Sequence, residues 1–282
     1  MCCRKRNPEI NLVHLESLGL SEVIMSKIDK ILSPDDVEEL LKSSFRTTAL
    51  FELLANKAEF VTIGDITQNL NIPQSSASML VKSLLDTGYL QKDPTHKKYQ
   101  LSVRLAFLGA STLHNFPKLP ELTEQVQQLR DVIGETIVVA MRNGLYSQYV
   151  FVSRIEGQNI DEHVTLGSMR PLVCSATGWA MLINADEDEI GKLVRTTCAE
   201  VDDLYWVETA QHAPVSIEET KQHGFAVSQG PSRKGTAGIA FPLSLGAHQE
   251  QFSIGVAGTE QDLIQKKDMI ISNLKAHTQH FN

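Results

Sequence analysis

Residues 61–101 admit few folds, because they carry start and stop signals for two short helices and then a hairpin. Thr62 stands as an N-cap ahead of Ile63, Asp65 lies in the first turn, and Ile63, Ile66 and Leu70 recur at helical spacing. Asn71 tolerates the left-handed backbone that closes a helix, and Pro73 has the fixed φ of a first turn. The spacing therefore predicts a tight turn and a second helix over residues 73–86, burying Ala77, Leu80, Val81 and Leu84. Its other face carries Gln74, Ser75, Ser78, Met79 and Lys82, with Ser76 beside them. A merely solvated face would hold more Glu and Lys, whereas small hydroxyls with a Gln and a Lys suit close approach to a major groove. Gly88 ends the helix, and residues 90–92 and 99–101 alternate as strands around a turn-rich tip at 93–96. Lys92, Lys97 and Lys98 then fall on a wing that can grip phosphates. This is the plan of a winged helix-turn-helix whose expected partner is double-stranded DNA; the bland alternative is a protein-docking module with a solubilised loop.

Charge obeys the same division. Residues 44–115 hold seven Lys and Arg against five Asp and Glu, whereas residues 116–282 hold thirteen against twenty-one. The net charge of −8 argues against indiscriminate nucleic-acid binding, so the local basic excess carries the argument. A length of 282 residues suits about two domains, and no apolar run reaches the eighteen or so residues of a membrane span. Four cysteines at 2, 3, 174 and 198 show neither metal-ligand spacing nor disulfide density. A reduced, cytoplasmic protein without metal, cofactor or membrane partner is expected.

Around the module, residues 1–43 read as an amphipathic helical extension, with Ser33 and Pro34 starting a helix, and the module's own first helix falls at 45–56. An amphipathic linker helix is expected within residues 102–118, and the prolines at 117 and 120 mark the boundary to a second domain over 119–282. There a helix at 121–133 closed by Gly134 precedes strands at 136–141 and 146–154, joined through Asn143-Gly144. Further helices are expected near 176–183, 186–194 and 216–222, with strands near 225–228, 238–244 and 251–257 and a last helix at 260–277. The fold class is α+β, with an antiparallel sheet and flanking helices behind the winged module.

Laid out this way, the chain resembles the IclR family of bacterial transcription regulators over residues 45–277. The likeness rests on Ile72-Pro73-Gln74-Ser75-Ser76, Leu84-Leu85-Asp86-Thr87-Gly88-Tyr89-Leu90 and Tyr99-Gln100-Leu101 in the first domain. In the second it rests on Gly167-Ser168-Met169-Arg170-Pro171-Leu172, Ser175-Ala176-Thr177-Gly178-Trp179-Ala180, Gly224-Phe225-Ala226-Val227, and Gly235 with Ile239-Ala240-Phe241-Pro242. The resemblance implies a GAF-like effector domain, dimers formed largely through the DNA-binding half, and pairs of dimers on an operator. It implies a small organic or aromatic acid as effector, held at Ala176, Thr177, Ser228, Gly238, Gly255 and Ala257, with Cys174 beside them. Met79 departs from the basic residue usual at its position, which shifts the expected base preference. The effector lining is mostly small or apolar here, so a larger, less polar ligand than a two-carbon acid is expected. A degenerate domain used only for oligomerisation is the alternative.

An enzyme would need a nucleophile and a base. Cys174 or Ser175 with His163, His212 or His223 is the candidate set, and no nucleophile elbow, phosphate loop or zinc spacing accompanies it. The sequence therefore points to a regulator rather than a catalyst.

Overall fold

The computed structural model describes residues 34–57, 59–155, 164–201, 203–230, 235–245, 251–279 and 281. The expected extension, apart from the helix that begins at Pro34, lies outside them, as does His163. Contacts divide the chain into two units between Ser102 and Val103.

The first unit is a three-helix knot with a small sheet. Helix α1 (Pro34–Ala55) runs unbroken where the sequence suggested two helices, because no Gly or Pro follows Pro34 within it. Strand β1 (Val61–Thr62) leads into α2 (Ile63–Leu70), then α3 (Gln74–Asp86), β2 (Leu90–Lys92) and β3 (Lys98–Leu101). Thr62 and Asp65 form a reciprocal capping box, and Asn71 closes α2 at φ 50°. Leu50, Leu54, Ile66, Ala77, Val81, Leu84 and Leu90 share one buried core. Strand β1 has no counterpart in the sequence reading: its two residues pair antiparallel with β3, making the wing three-stranded in the order β1-β3-β2.

The second unit starts with α4 (Val103–Ala110), none of whose residues is buried, and after a short three-ten turn comes α5 (Leu119–Ile133). Pro120 sits in the first turn of α5, where a missing N–H is harmless, so it starts the helix instead of preceding it. Strands β4 (Thr136–Asn143), β5 (Tyr146–Ser153), β6 (Met169–Pro171), β7 (Ala226–Gln229), β8 (Thr236–Leu243) and β9 (Phe252–Thr259) form one antiparallel sheet ordered β6-β5-β4-β9-β8-β7. The β4–β5 turn is Gly144-Leu145, one residue later than Asn143-Gly144 suggested; Asn143 pairs with Tyr146, and Gly144 takes the positive φ of 58°.

Helices α6 (Ala176–Met181) and α8 (Leu204–His223) cover one face of the sheet, and α7 (Glu187–Glu200) packs on α8. Helix α8 starts twelve residues before the expected segment and carries Pro214 inside it; its low amphipathic contrast and that proline hid the first half. Helices α5 and α10 (Lys267–Thr278) cover the other face, with α9 (Glu260–Gln265) before α10. Strand parity sorts the two cores: Ile137, Val139, Ile254 and Val256 face α5 and α10, and Val138 and Ala140 face α6 to α8.

Candidate functional site

In the winged unit, burying Ala77, Val81 and Leu84 forces the opposite face of α3 outward. Gln74, Ser75, Ser78 and Lys82 are exposed there, Ser76 is half-buried, and Met79 is 73% exposed. Lys92 and Lys97 are exposed on the wing, and Lys98, paired with Thr62 in the sheet, is half-buried. Asp93 organises the wing tip: its carboxylate accepts from the Thr95 amide and hydroxyl, each at 2.7 Å, and from the His96 amide at 2.9 Å. Those donors, led by the Thr95 hydroxyl, hold its carboxyl well below the usual carboxylate range. The first unit thus offers water a short helix edge of hydroxyls and a stiffened basic hairpin.

The second unit encloses a cavity of about 330 Å³ between the sheet and α6. It is at the small end of the range for metabolite sites. Ala176, Thr177, Ser228, Gly238 and Ala257 line it together. Cys174 and Gly255, from the same expected set, do not. The Cys174 side chain is buried with its Sγ 3.3 Å from the Trp206 carbonyl in α8, and a Cβ on Gly255 would meet the Ile239 carbonyl at 2.8 Å, leaving no room for a ligand there.

Ser175 N-caps α6 by accepting from the Gly178 amide, so Ala176 and Thr177 occupy the first two helical positions on the cavity wall. Thr177 shares hydroxyl hydrogen bonds with Ser147 at 2.8 Å and Ser175 at 3.3 Å. A bulge pairs Ala140 with Tyr149 and Val139 with Phe151, skipping Val150, and so turns Tyr149 toward the cavity. Glu135, Arg170 and Asp262 also line it and carry no signal of that role in the sequence. Glu135 precedes a strand, Arg170 lies in a three-residue strand the periodicity did not register, and Asp262 reads as an ordinary helix-start acid.

The catalytic alternative has no assembled pair among the described residues. Burial, with Cys198 nearby, pushes the Cys174 thiol up to about 12, so it is not a ready thiolate. The Ser175 hydroxyl is engaged as a cap, and the Nδ1 atoms of His212 and His223 lie within 2.8 Å and 2.7 Å of carbonyls in their own helix. No group of three metal-ligating side chains exists among the described residues, and none of their helices is long and apolar enough to cross a membrane.

A winged helix-turn-helix followed along the chain by an α+β domain with a cavity is the architecture expected of a DNA-binding transcription regulator with a ligand-sensing domain. Comparison with known proteins makes it specific. Residues 44–94 match the IclR helix-turn-helix domain, and residues 110–281 match the bacterial transcriptional regulator IclR C-terminal domain. The chain belongs to the IclR family: it is a DNA-binding transcriptional regulator with a C-terminal effector domain, not an enzyme. Among its relatives, the probable transcriptional regulator SauR of Cupriavidus necator is 23% identical over 71% of this chain and 79% of its own length. The regulator KdgR of Escherichia coli is 20% identical over 83% and 85%. The crystal structure of IclR from Thermotoga maritima superposes with a TM-score of 0.59 at 16% identity, covering 86% of this chain and 98% of that one. HmgR of Pseudomonas aeruginosa gives 0.56 at 18%, covering 86% and 99%. At these identities the solved structures speak for the fold alone.

Proposed function

We propose that α3 enters the major groove of an operator, that the wing lysines hold the adjacent phosphates, and that a small organic or aromatic acid in the cavity governs binding. The observation that carries the reading is the outward stripe of Gln74, Ser75, Ser78, Met79 and Lys82 on a helix whose other side is fully engaged in the core. Hydroxyls and a Gln reach base edges without bulk, Met79 can touch a thymine methyl, and lysines supply sequence-independent attraction. Regions 1–43 and 102–118 serve as extension and linker around the reading head.

The working form is a homodimer or homotetramer acting on cytoplasmic DNA. Support comes from α4, where Val103, Phe107 and Leu108 are exposed large apolar residues on a helix with no buried position. Repression is the mode favoured, since one relative, AllR of Escherichia coli, 27% identical over 54% of this chain, is named a transcriptional repressor. Selection of bound sites from random DNA tests the reading directly. A two-fold symmetric site is expected, bound by the full chain and weakened by an acid that also raises its melting temperature. Failure to enrich any sequence would overturn it.

A further inference from the structure

Among the described residues of the first unit, the exposed large apolar side chains are Phe45 on α1 and Met79 on α3, and of these Met79 stands on the face proposed to read DNA. It is 73% exposed, and its neighbours one turn away along the helix are Ser75 and Ser76 before it and Lys82 and Ser83 after it. The serines are short, so the thioether chain projects past them. Ala77, Val81 and Leu84 supply the buried side of the helix, and Met79 takes no part in that core.

The rest of α3 carries little that tells bases apart. It has no arginine, the side chain that forks onto guanine; Gln74 can pair with adenine, and a serine can bond to any base. A major groove offers polar donors and acceptors and one apolar group, the C5-methyl of thymine. An apolar chain set against N7, O6 or an exocyclic amine strips that group of water without replacing the hydrogen bond, and a thioether sulfur is only a weak acceptor. Against a methyl the same chain removes carbon from water at no such cost. The three rotatable bonds of methionine let it follow the methyl without a fixed docking angle.

We propose that Met79 senses the C5-methyl group of a pyrimidine, so that each half-site carries thymine opposite it and C5-methylation of a cytosine at that position also strengthens binding. The regulator thereby responds to the modification state of its DNA as well as to its sequence. The inference deepens the DNA reading given above and rests on it, and it does not depend on what the cavity holds.

The test uses the purified full chain and the duplex enriched from random DNA. Each thymine is replaced singly by deoxyuridine, which removes the methyl and keeps the base pair. At the responsive position a cytosine–guanine pair is then compared with and without a C5-methyl on the cytosine. One thymine in each half-site is expected to lose about fourfold in affinity as deoxyuridine, the worth of one buried methyl, and C5-methylcytosine is expected to gain about as much over cytosine. Met79→Leu should keep both ratios, whereas Met79→Ala and Met79→Gln should bring both close to one. Glutamine matches methionine in length, so its failure separates apolar contact from mere reach. At 73% exposure none of the three substitutions disturbs the core. Deoxyuridine equal to thymine at every position, or no gain from cytosine methylation, overturns the proposal and keeps the DNA reading. Ratios that survive in both Met79→Ala and Met79→Gln put the methyl contact on another residue and overturn it as well. Failure to enrich any sequence overturns both.

Discussion

Helices α3 and α6 are both short, and both carry residues expected to read a ligand, yet they sit at opposite extremes of burial. Only Ala77, Val81 and Leu84 of α3 are buried, whereas all six residues of α6 are. A helix that reads outward keeps its stabilising contacts and its recognising contacts on different faces, so recognition can change without touching the fold. One that reads inward has the same side chains fill the core and shape the cavity. Variation is therefore cheap on α3 and costly on α6.

The largest test of that contrast is Gly178→Ala. A Cβ there would lie 1.8 Å from the Leu172 carbonyl oxygen, a backbone atom that cannot step aside without moving the turn before α6. A stability loss of about 3 kcal/mol or more is expected in urea unfolding, above the usual range for overpacking. A variant as stable as the parent would show that α6 slides freely, and the comparison would fail. Next in size, Ser78→Ala and Met79→Ala should each shift base preference by about 1–3 kcal/mol at one position while changing stability by under about 0.5 kcal/mol. Identical selected-site profiles would remove base reading from α3. The pair Lys97→Ala and Lys98→Ala should weaken all sequences alike and lower the slope of log affinity against log salt by about two, as two phosphate contacts do. An unchanged slope would take the wing off the DNA.

The smallest effect sharpens the comparison at the helix start. The Asp65 carboxyl, held below its ordinary range by the Thr62 amide and hydroxyl, is exposed, so Asp65→Asn should cost at most about 1 kcal/mol. Because the folded-state pKa is depressed, that contribution is present above the ordinary carboxylate range near pH 4 and is lost as pH falls through the lower folded value. Stability curves of parent and variant should therefore converge in acid; a difference that persisted there would assign the effect to something other than the carboxylate.

Legibility differed between the two regions for a physical reason. In the winged unit the signals are local: Thr62 with Asp65, Asn71 and Pro73 lie within twelve residues, and each acts on backbone next to it. Even there β1 escaped, since its two residues become a strand only through β3, some thirty-seven positions away. In the effector unit most elements could be read from periodicity, but two helix starts moved: Pro120, read as part of a boundary, opens α5, and α8 begins twelve residues before the expected segment, with Pro214 inside it.

Five of the seven expected cavity residues do line the cavity, placed by family motifs at a turn and on adjacent strands. Cys174 and Gly255 point elsewhere because of packing contacts with Trp206 and Ile239 that no spacing encodes. Glu135 and Asp262 carried no local mark, and Arg170, though inside a family motif, carried none of a place on the cavity wall, since an acid before a strand and an arginine at a sheet edge are ordinary surface residues until the fold brings them to a cavity.

By itself, then, the sequence determined the reading head, its caps, its polar stripe and the α+β class of the effector unit, because capping, turn chemistry and amphipathic period act over a few residues. Only the tertiary structure decided which side chains share a cavity and which of the expected ones are packed elsewhere. Those facts depend on strand order and on a single skipped residue at Val150, and both are fixed by contacts between segments far apart in the chain.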